Sequence, residues 1–263
     1  MKKIGVLAVV MATAFLFVGV ASAEMYVEGY IGGAFAQSLD LEGSVSVAGI
    51  GSISGSTDRS LSTSPSVIGG VKLGTWFVPT GVLGYSYPDW MKYFGFYTDF
   101  SYQTLNARRQ AIATLPAPAF GTLDIQSEGM VATWAFMFAA RYGFFQDSEV
   151  PFGRLQPYVA VGPAIMFSSR NLKVSAPGIN TNTGLNVLTG IGLGTTGATN
   201  IALAADAGIR YMALKNVSFD ISFKYRYAKP SYDFSDISGS GVSIDFQPTL
   251  NLFSGQVGVA YHF

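Results

Sequence analysis

The sequence predicts an all-β fold, an eight-stranded antiparallel up-and-down transmembrane β-barrel, with ten strands as the alternative count. Three observations lead there. Apolar residues make up 49% of the 263 positions and charged residues only 12%, at a mean hydropathy of +0.33. Ordinary soluble domains are about a quarter charged. Beyond Ala23, no run of about 18 residues escapes a charge, a proline or several polar residues, so the apolar content is not gathered into helical spans. It is spread instead with a period of two, which puts apolar side chains on one face of a strand and small or polar ones on the other. A barrel with lipid outside and polar groups inside alternates in this way.

Met1 to Ala23 reads as a signal peptide. Lys2 and Lys3 form a basic start, Ile4 to Val20 an apolar core, and Ala21-Ser22-Ala23 a small-x-small cleavage site that makes Glu24 the mature N-terminus. The remainder, 24–263, is expected to be a single barrel domain.

Eight strand-like segments follow, each holding the roughly 9–11 residues that a tilted strand needs to cross a bilayer. They are Met25–Leu39, Ser66–Val78, Tyr93–Thr104, Met130–Phe145, Gln156–Arg170, Asn200–Ala213, Asn216–Ala228 and Leu250–Phe263. The seventh is the plainest. Val217, Phe219, Ile221, Phe223, Tyr225 and Tyr227 alternate with Ser218, Asp220, Ser222, Lys224 and Arg226. A helix would set Phe219 and Phe223 beside Asp220 and Lys224; a strand separates them fully. In the eighth, Phe253, Gly255, Val257, Val259, Tyr261 and Phe263 form the apolar set, against Leu252, Ser254, Gln256, Gly258, Ala260 and His262. Pro163 falls inside the fifth segment, where a bulge is expected because a closed sheet has no edge to excuse a proline.

Connections alternate in length. Asp40–Pro65, Leu105–Gly129, Asn171–Thr199 and Lys229–Gln247 are long, whereas Pro79–Lys92, Gln146–Leu155 and Leu214–Lys215 are shorter. Long loops on the outer side and short turns on the inner side are the pattern of such barrels. Two runs in the long loops, SVSVAGIGSISGS and LNVLTGIGLG, are strand-like and are expected to extend the hairpins beyond the membrane.

Turning every apolar set outward leaves no Asp, Glu, Lys or Arg facing lipid. Glu28, Lys72, Asp99, Arg141, Asp206, Arg210, Asp220, Lys224 and Arg226 all fall on the inward set. A basic residue at mid-depth on the lipid side costs about 2–4 kcal/mol, so this register is strongly favoured. An eight-stranded barrel is just wide enough for side chains to fill it, and charges confined there need partners. An ion-pair network joining Asp99, Arg141, Asp206, Arg210, Asp220, Lys224 and Arg226 is expected. It reads as a polar core that seals the barrel, or as a gated path for ions or small solutes. Trp76, Phe77, Trp90, Tyr93, Tyr142, Phe144, Phe145, Tyr211, Tyr261 and Phe263 lie near strand ends and are read as an interfacial aromatic girdle.

The apolar-aromatic strand closing on Phe263 resembles the terminal strand of bacterial outer-membrane β-barrel proteins. In that family the segment is the recognition signal for the barrel-assembly machinery, a role the resemblance gives to Phe253, Val257, Val259, Tyr261 and Phe263. Residues 24–263 resemble the small OmpA-type, OmpW-type and opacity-type porin-like barrels. The resemblance implies a Gram-negative-type outer membrane with lipopolysaccharide around the barrel, periplasmic termini and a monomer. It implies a non-enzymatic role in envelope integrity and long loops that offer a surface to an extracellular ligand or phage. The alternative is a small-solute or ion channel. No peptidoglycan-binding domain is expected after the barrel.

Other chemistries find little support. Lys+Arg and Asp+Glu each number 16, so losing Lys2 and Lys3 leaves a net charge of about −2 and nothing to attract nucleic acid. There is no cysteine, and His262 is the only histidine, which disfavours disulfides, thiolate chemistry and zinc. No cofactor, metal or catalytic residue is assigned. His262 is expected at the periplasmic rim, far from the outer leaflet where a lipid-modifying barrel enzyme works, so that third class is disfavoured. Gly190, Gly192, Gly194 and Gly197 mimic a dinucleotide loop without the helix it requires and are read as a flexible loop. Asp233 and Asp236 lack the spacing of a calcium loop. Asp147 and Glu149 read as solvated turn residues.

Overall fold

The computed structural model describes residues 24–37, 39–47, 51–61, 63–77, 87–115, 121–175, 191–234 and 242–263. The expected signal peptide and its expected cleavage site at Ala21 and Ala23 lie outside the described residues, as do Gly190 and Asp236.

Eight strands close into one antiparallel barrel. They are β1 (Glu24–Ala36), β4 (Ser66–Trp76), β5 (Phe94–Thr104), β7 (Gly121–Arg141), β8 (Leu155–Ser175), β9 (Ile191–Leu214), β10 (Val217–Ala228) and β13 (Leu250–His262). Each pairs with its neighbour in chain order, and β1 pairs with β13 to complete the ring. Followed from Glu28 across successive pairs, the register returns to β1 beyond Ala36, so the cylinder is strongly sheared. Both described chain ends lie at one end of the barrel, where the Phe263 N–H donates to the Met25 carbonyl at 3.0 Å. This is called the terminal end below, and the opposite one the loop end.

The loop end is built of further strand. β2 (Leu39–Val47) and β3 (Gly51–Leu61) form a hairpin, joined by β12 (Val242–Phe246) and β11 (Tyr232–Phe234) in a four-stranded sheet. β6 (Ala107–Leu115) pairs with the extended start of β7. The hairpin extension expected over SVSVAGIGSISGS is therefore present, whereas β6, β11 and β12 are additions to the expected strand set. Gly192, Gly194 and Gly197 sit in strand β9, not in a loop, with Gly194 at φ 82.

Three local expectations change. The fourth span stops at Arg141 instead of Phe145 and begins nine residues earlier than Met130, at Gly121. Phe145 takes φ 59 and turns the chain. Pro163 makes no bulge. The β7–β8 pairing omits Phe136 and Met137, then resumes in the same register at Phe138↔Val161. The proline ring points outward, so its missing donor interrupts the ladder without shifting it. Ala164, Met166, Ser168 and Arg170 consequently stay inward. The one shift in β8–β9 lies between Asn171 and Lys173. At Gly162 a Cβ would come within 1.8 Å of the Phe136 carbonyl oxygen, so only glycine fits where these strands crowd.

Alternation governs the outside. Ile31, Phe100, Phe138, Val159, Ile201, Phe219, Ile221 and Val257 are all exposed. Trp90, Phe94, Tyr142, Phe144, Phe145, Tyr211, Tyr261 and Phe263 ring the terminal end on the outside. Trp76, assigned to that girdle from sequence, belongs instead to the lumen at 2% exposure, stacked on Tyr26 with ring centroids 6.4 Å apart.

Candidate functional site: the lumen

All nine charged residues assigned to the inward set lie in the lumen, at 3% exposure or less. Their order in the strands explains their meeting. Lys72 on β4 stands between Glu28 on β1 and Asp99 on β5, each its direct partner in the register. Asp206 on β9 pairs with Lys224 on β10, and Arg210 with Asp220. The walls of β7, β8 and β9 carry inward Ala135, Ala139, Ala160, Ala164, Ala202 and Ala204. These small side chains leave the bore to long ones reaching across it.

Lys72 is the hub. Its Nζ lies 3.0 Å from Glu28 Oε1, 3.3 Å from Asp206 Oδ2 and 3.7 Å from Asp220 Oδ1, linking β4 to β1, β9 and β10. Arg210 closes the circuit, 2.5 Å from Glu28 Oε2 and 3.7 Å from Asp220 Oδ2. Lys224 pairs with Asp99 across the bore. Three phenols complete the centre. Tyr30 donates to Asp99 Oδ1 at 2.6 Å, Tyr97 to Asp206 Oδ2 at 2.9 Å and Tyr158 to Asp220 Oδ1 at 2.9 Å. Lys72 donates to the Tyr158 hydroxyl at 3.2 Å, and Lys224 to that of Tyr30 at 3.1 Å. Charge is thus matched by charge, and a phenol donates to each of the three aspartates, as burial in low dielectric demands.

Two expected members stand apart. Arg141 forms a separate layer at the terminal end. Its Nη1 and Nη2 donate to Glu24 at 2.7 and 2.5 Å, Nη1 also to Gln156 at 2.9 Å. The guanidinium is sandwiched 4.1 Å from the Trp76 ring and 4.0 Å from that of Phe152. Phe152 comes from the β7–β8 turn, which folds across this mouth. A cavity of about 270 Å³ remains there, between Glu24, Lys92, Arg141 and Gln146. Arg226 sits toward the loop end and donates to the Gln103 side-chain oxygen at 3.2 Å. Among the described residues it has no carboxylate within 4.0 Å.

Sequence reasoning missed Tyr30, Tyr97 and Tyr158, although parity puts them on the inward set. It also missed Glu24, read only as a mature terminus, and Arg170, which lies beyond Pro163, where an expected bulge would have reset the facing. His262, expected at the rim, is buried and faces Tyr26 at a ring distance of 5.6 Å. Its Nε2 lies 2.8 Å from Ser218 Oγ, and its Nδ1 3.8 Å from Glu24 Oε1. The order matches a Ser-His-acid triad, but the geometry does not serve one. Ser218 is fully buried, the acid is beyond hydrogen-bonding distance, and Arg141 already holds Glu24. Among the described residues no group of His, Asp and Glu is arranged to hold a metal.

A closed antiparallel cylinder, apolar outside and ionic inside, is a transmembrane β-barrel, because closure alone satisfies every backbone group in lipid. No family model matches the chain, and no curated protein matches it. Among solved structures, it is similar to the outer membrane protein OprG from Pseudomonas aeruginosa. Identity is 12%, coverage 93% of this chain and 98% of that one, and the TM-score 0.43. It is also similar to Neisserial surface protein A, at 14% identity, 91% and 97% coverage and a TM-score of 0.39. A major outer membrane protein from Thermus thermophilus is 10% identical over 92% of this chain and all of that one, at a TM-score of 0.43.

Proposed function

We propose that the chain is a non-enzymatic integral protein of a Gram-negative-type outer membrane, sealed along its axis. It adds to envelope integrity and displays strand-built loops to the outside. The observation that carries this reading is the Lys72 hub, one cation tied to three strands across the bore. The termini face the periplasm and the β2–β3 and β11–β12 strands the exterior. Lipid and lipopolysaccharide surround the apolar wall. Phe253, Val257, Val259, Tyr261 and Phe263 all point outward from β13, where the barrel-assembly machinery reads them during insertion. The loop strands offer a surface to an extracellular ligand or phage, and the barrel works as a monomer.

Planar-bilayer conductance of the refolded protein tests the seal. Wild type is expected to show no discrete steps. Steps that vanish in Arg141→Gln or Asp99→Asn would replace this reading with that of a small-solute channel. A change in lipid A seen by mass spectrometry on expressing the protein would revive the enzyme class.

A further inference from the structure

The half of the lumen nearer the loop end differs in kind from the centre. Arg226 and Arg170 are 2% and 1% exposed, yet neither has a carboxylate within 4.0 Å among the described residues. Arg226 meets the Gln103 oxygen, and Arg170 meets Ser127 Oγ at 3.1 Å and Tyr232. Asp99, the carboxylate of the next layer, is already held by Lys224 and Tyr30.

Donors on both sides of the Arg226–Gln103 contact are idle. Arg226 Nη2 and Gln103 Nε2 are buried without a hydrogen-bond partner. The same holds for Ser101 Oγ and Thr133 Oγ1, one inward step below Gln103 and paired directly across β5 and β7. Burying one such group costs on the order of 1–3 kcal/mol, and more when it is charged. Two such donors meet at the Arg226–Gln103 contact, one of them on a guanidinium, and two hydroxyls lie one inward step along the same wall, an arrangement suited to negative charge.

We propose that this arrangement binds a small oxyanion of the sulfate or phosphate class. Arg226 Nη2 and Gln103 Nε2 grip two of its oxygens, and the hydroxyls of Ser101 and Thr133 take the others. Arg170, farther along β8 toward the loop end, adds a second buried cation without a carboxylate among the described residues. The inference concerns the lumen's charge balance and goes beyond the sealed-barrel reading. A sealed barrel retains the anion, and a conducting one exchanges it.

Equilibrium dialysis of radiolabelled sulfate against barrel refolded in detergent in its presence is the test, at fixed ionic strength. Wild type is expected to bind stoichiometrically. Arg226→Met is expected to bind at least about tenfold more weakly, as loss of a charged hydrogen bond predicts. Lys173→Met, which alters only an exposed pair with Glu128, is expected to leave binding unchanged. A heat-modifiability gel shift on the same samples reports folding. Should Arg226→Met not fold, Gln103→Leu decides, because it keeps the Arg226 charge while removing the Nε2 donor together with the oxygen that Arg226 meets. Absence of binding by wild type, or full affinity in the folded Arg226 or Gln103 variant, overturns the proposal.

Discussion

The two halves of the lumen hold the same kinds of side chain under opposite conditions. Toward the terminal end, Lys72, Arg210, Lys224 and Arg141 face Glu28, Asp206, Asp220, Asp99 and Glu24, and every cation has a carboxylate at hand. Toward the loop end, Arg226 and Arg170 face amide, hydroxyl and ring. Burial alone therefore does not determine what a charge contributes. A paired cation holds strands together across the bore, and its removal strands its partners. An unpaired one makes no ionic link between strands, and its removal strands nothing charged.

The sharpest way to break this contrast is to delete a cation from each half. Lys72→Met leaves Glu28, Asp206 and Asp220 crowded without their shared counter-ion. The expected loss is about 3–5 kcal/mol, the cost of breaking a buried ion pair from one side. Arg226→Met in sulfate-free buffer is expected to change stability by no more than about 1 kcal/mol, since it frees only a neutral amide oxygen. Urea titration of the heat-modifiable band in detergent measures both. Equal losses would mean that the two halves are held by the same forces.

The wall offers a second test, of middling size. Ile221 on β10 is 68% exposed and lies between the outward Ile209 and Val257. Ile221→Arg is expected to cost about 2–4 kcal/mol in a lipid bilayer, read from the urea midpoint in vesicles. In detergent, where water and headgroups come close, the loss shrinks. A cost that is the same in both media would show that this face does not meet an acyl-chain core.

These comparisons also explain what can be read in advance. Facing is legible because lipid penalises charge on one side of every strand, so parity alone sends Asp99 and Lys224 inward. Partnership is not legible. Arg141 belongs with Glu24, and Lys72 with Asp206, because of shear and of side chains crossing the bore, and neither leaves a mark in local sequence. The strands added at the loop end escape for a different reason. β6 reads ARRQAIATL, without strict alternation, and β12, VSIDF, alternates but over only 5 residues, short of what a membrane span needs. Trp76 is misplaced from sequence when position near a strand end outweighs parity, and parity is right.

The smallest expected effect lies where the barrel meets water, in the β7–β8 turn that covers the terminal mouth. Asp147 Oδ1 accepts from the backbone N–H groups of Val150 at 2.7 Å and Glu149 at 3.0 Å, and its other oxygen pairs with Arg154. Arg154 also donates to the carbonyls of Met212 and Ala213, tying the turn to the end of β9. The Val150 N–H, then Arg154, holds the Asp147 carboxyl below its ordinary range. A carboxyl lowered by folding stabilises the fold fully above its unfolded value and loses that contribution as pH falls through the folded value. Amide protection across 143–154, corrected for intrinsic exchange, is therefore expected to drop on acidification below the usual aspartate range. Protection in β10 and β13 should hold. Asp147→Asn should show the lower protection at every pH, with its pH dependence flattened. If wild type and variant lose protection in parallel, the turn is held by Phe152 packed on Arg141 and Tyr93, and the exposed ion pairs contribute nothing to closing the mouth.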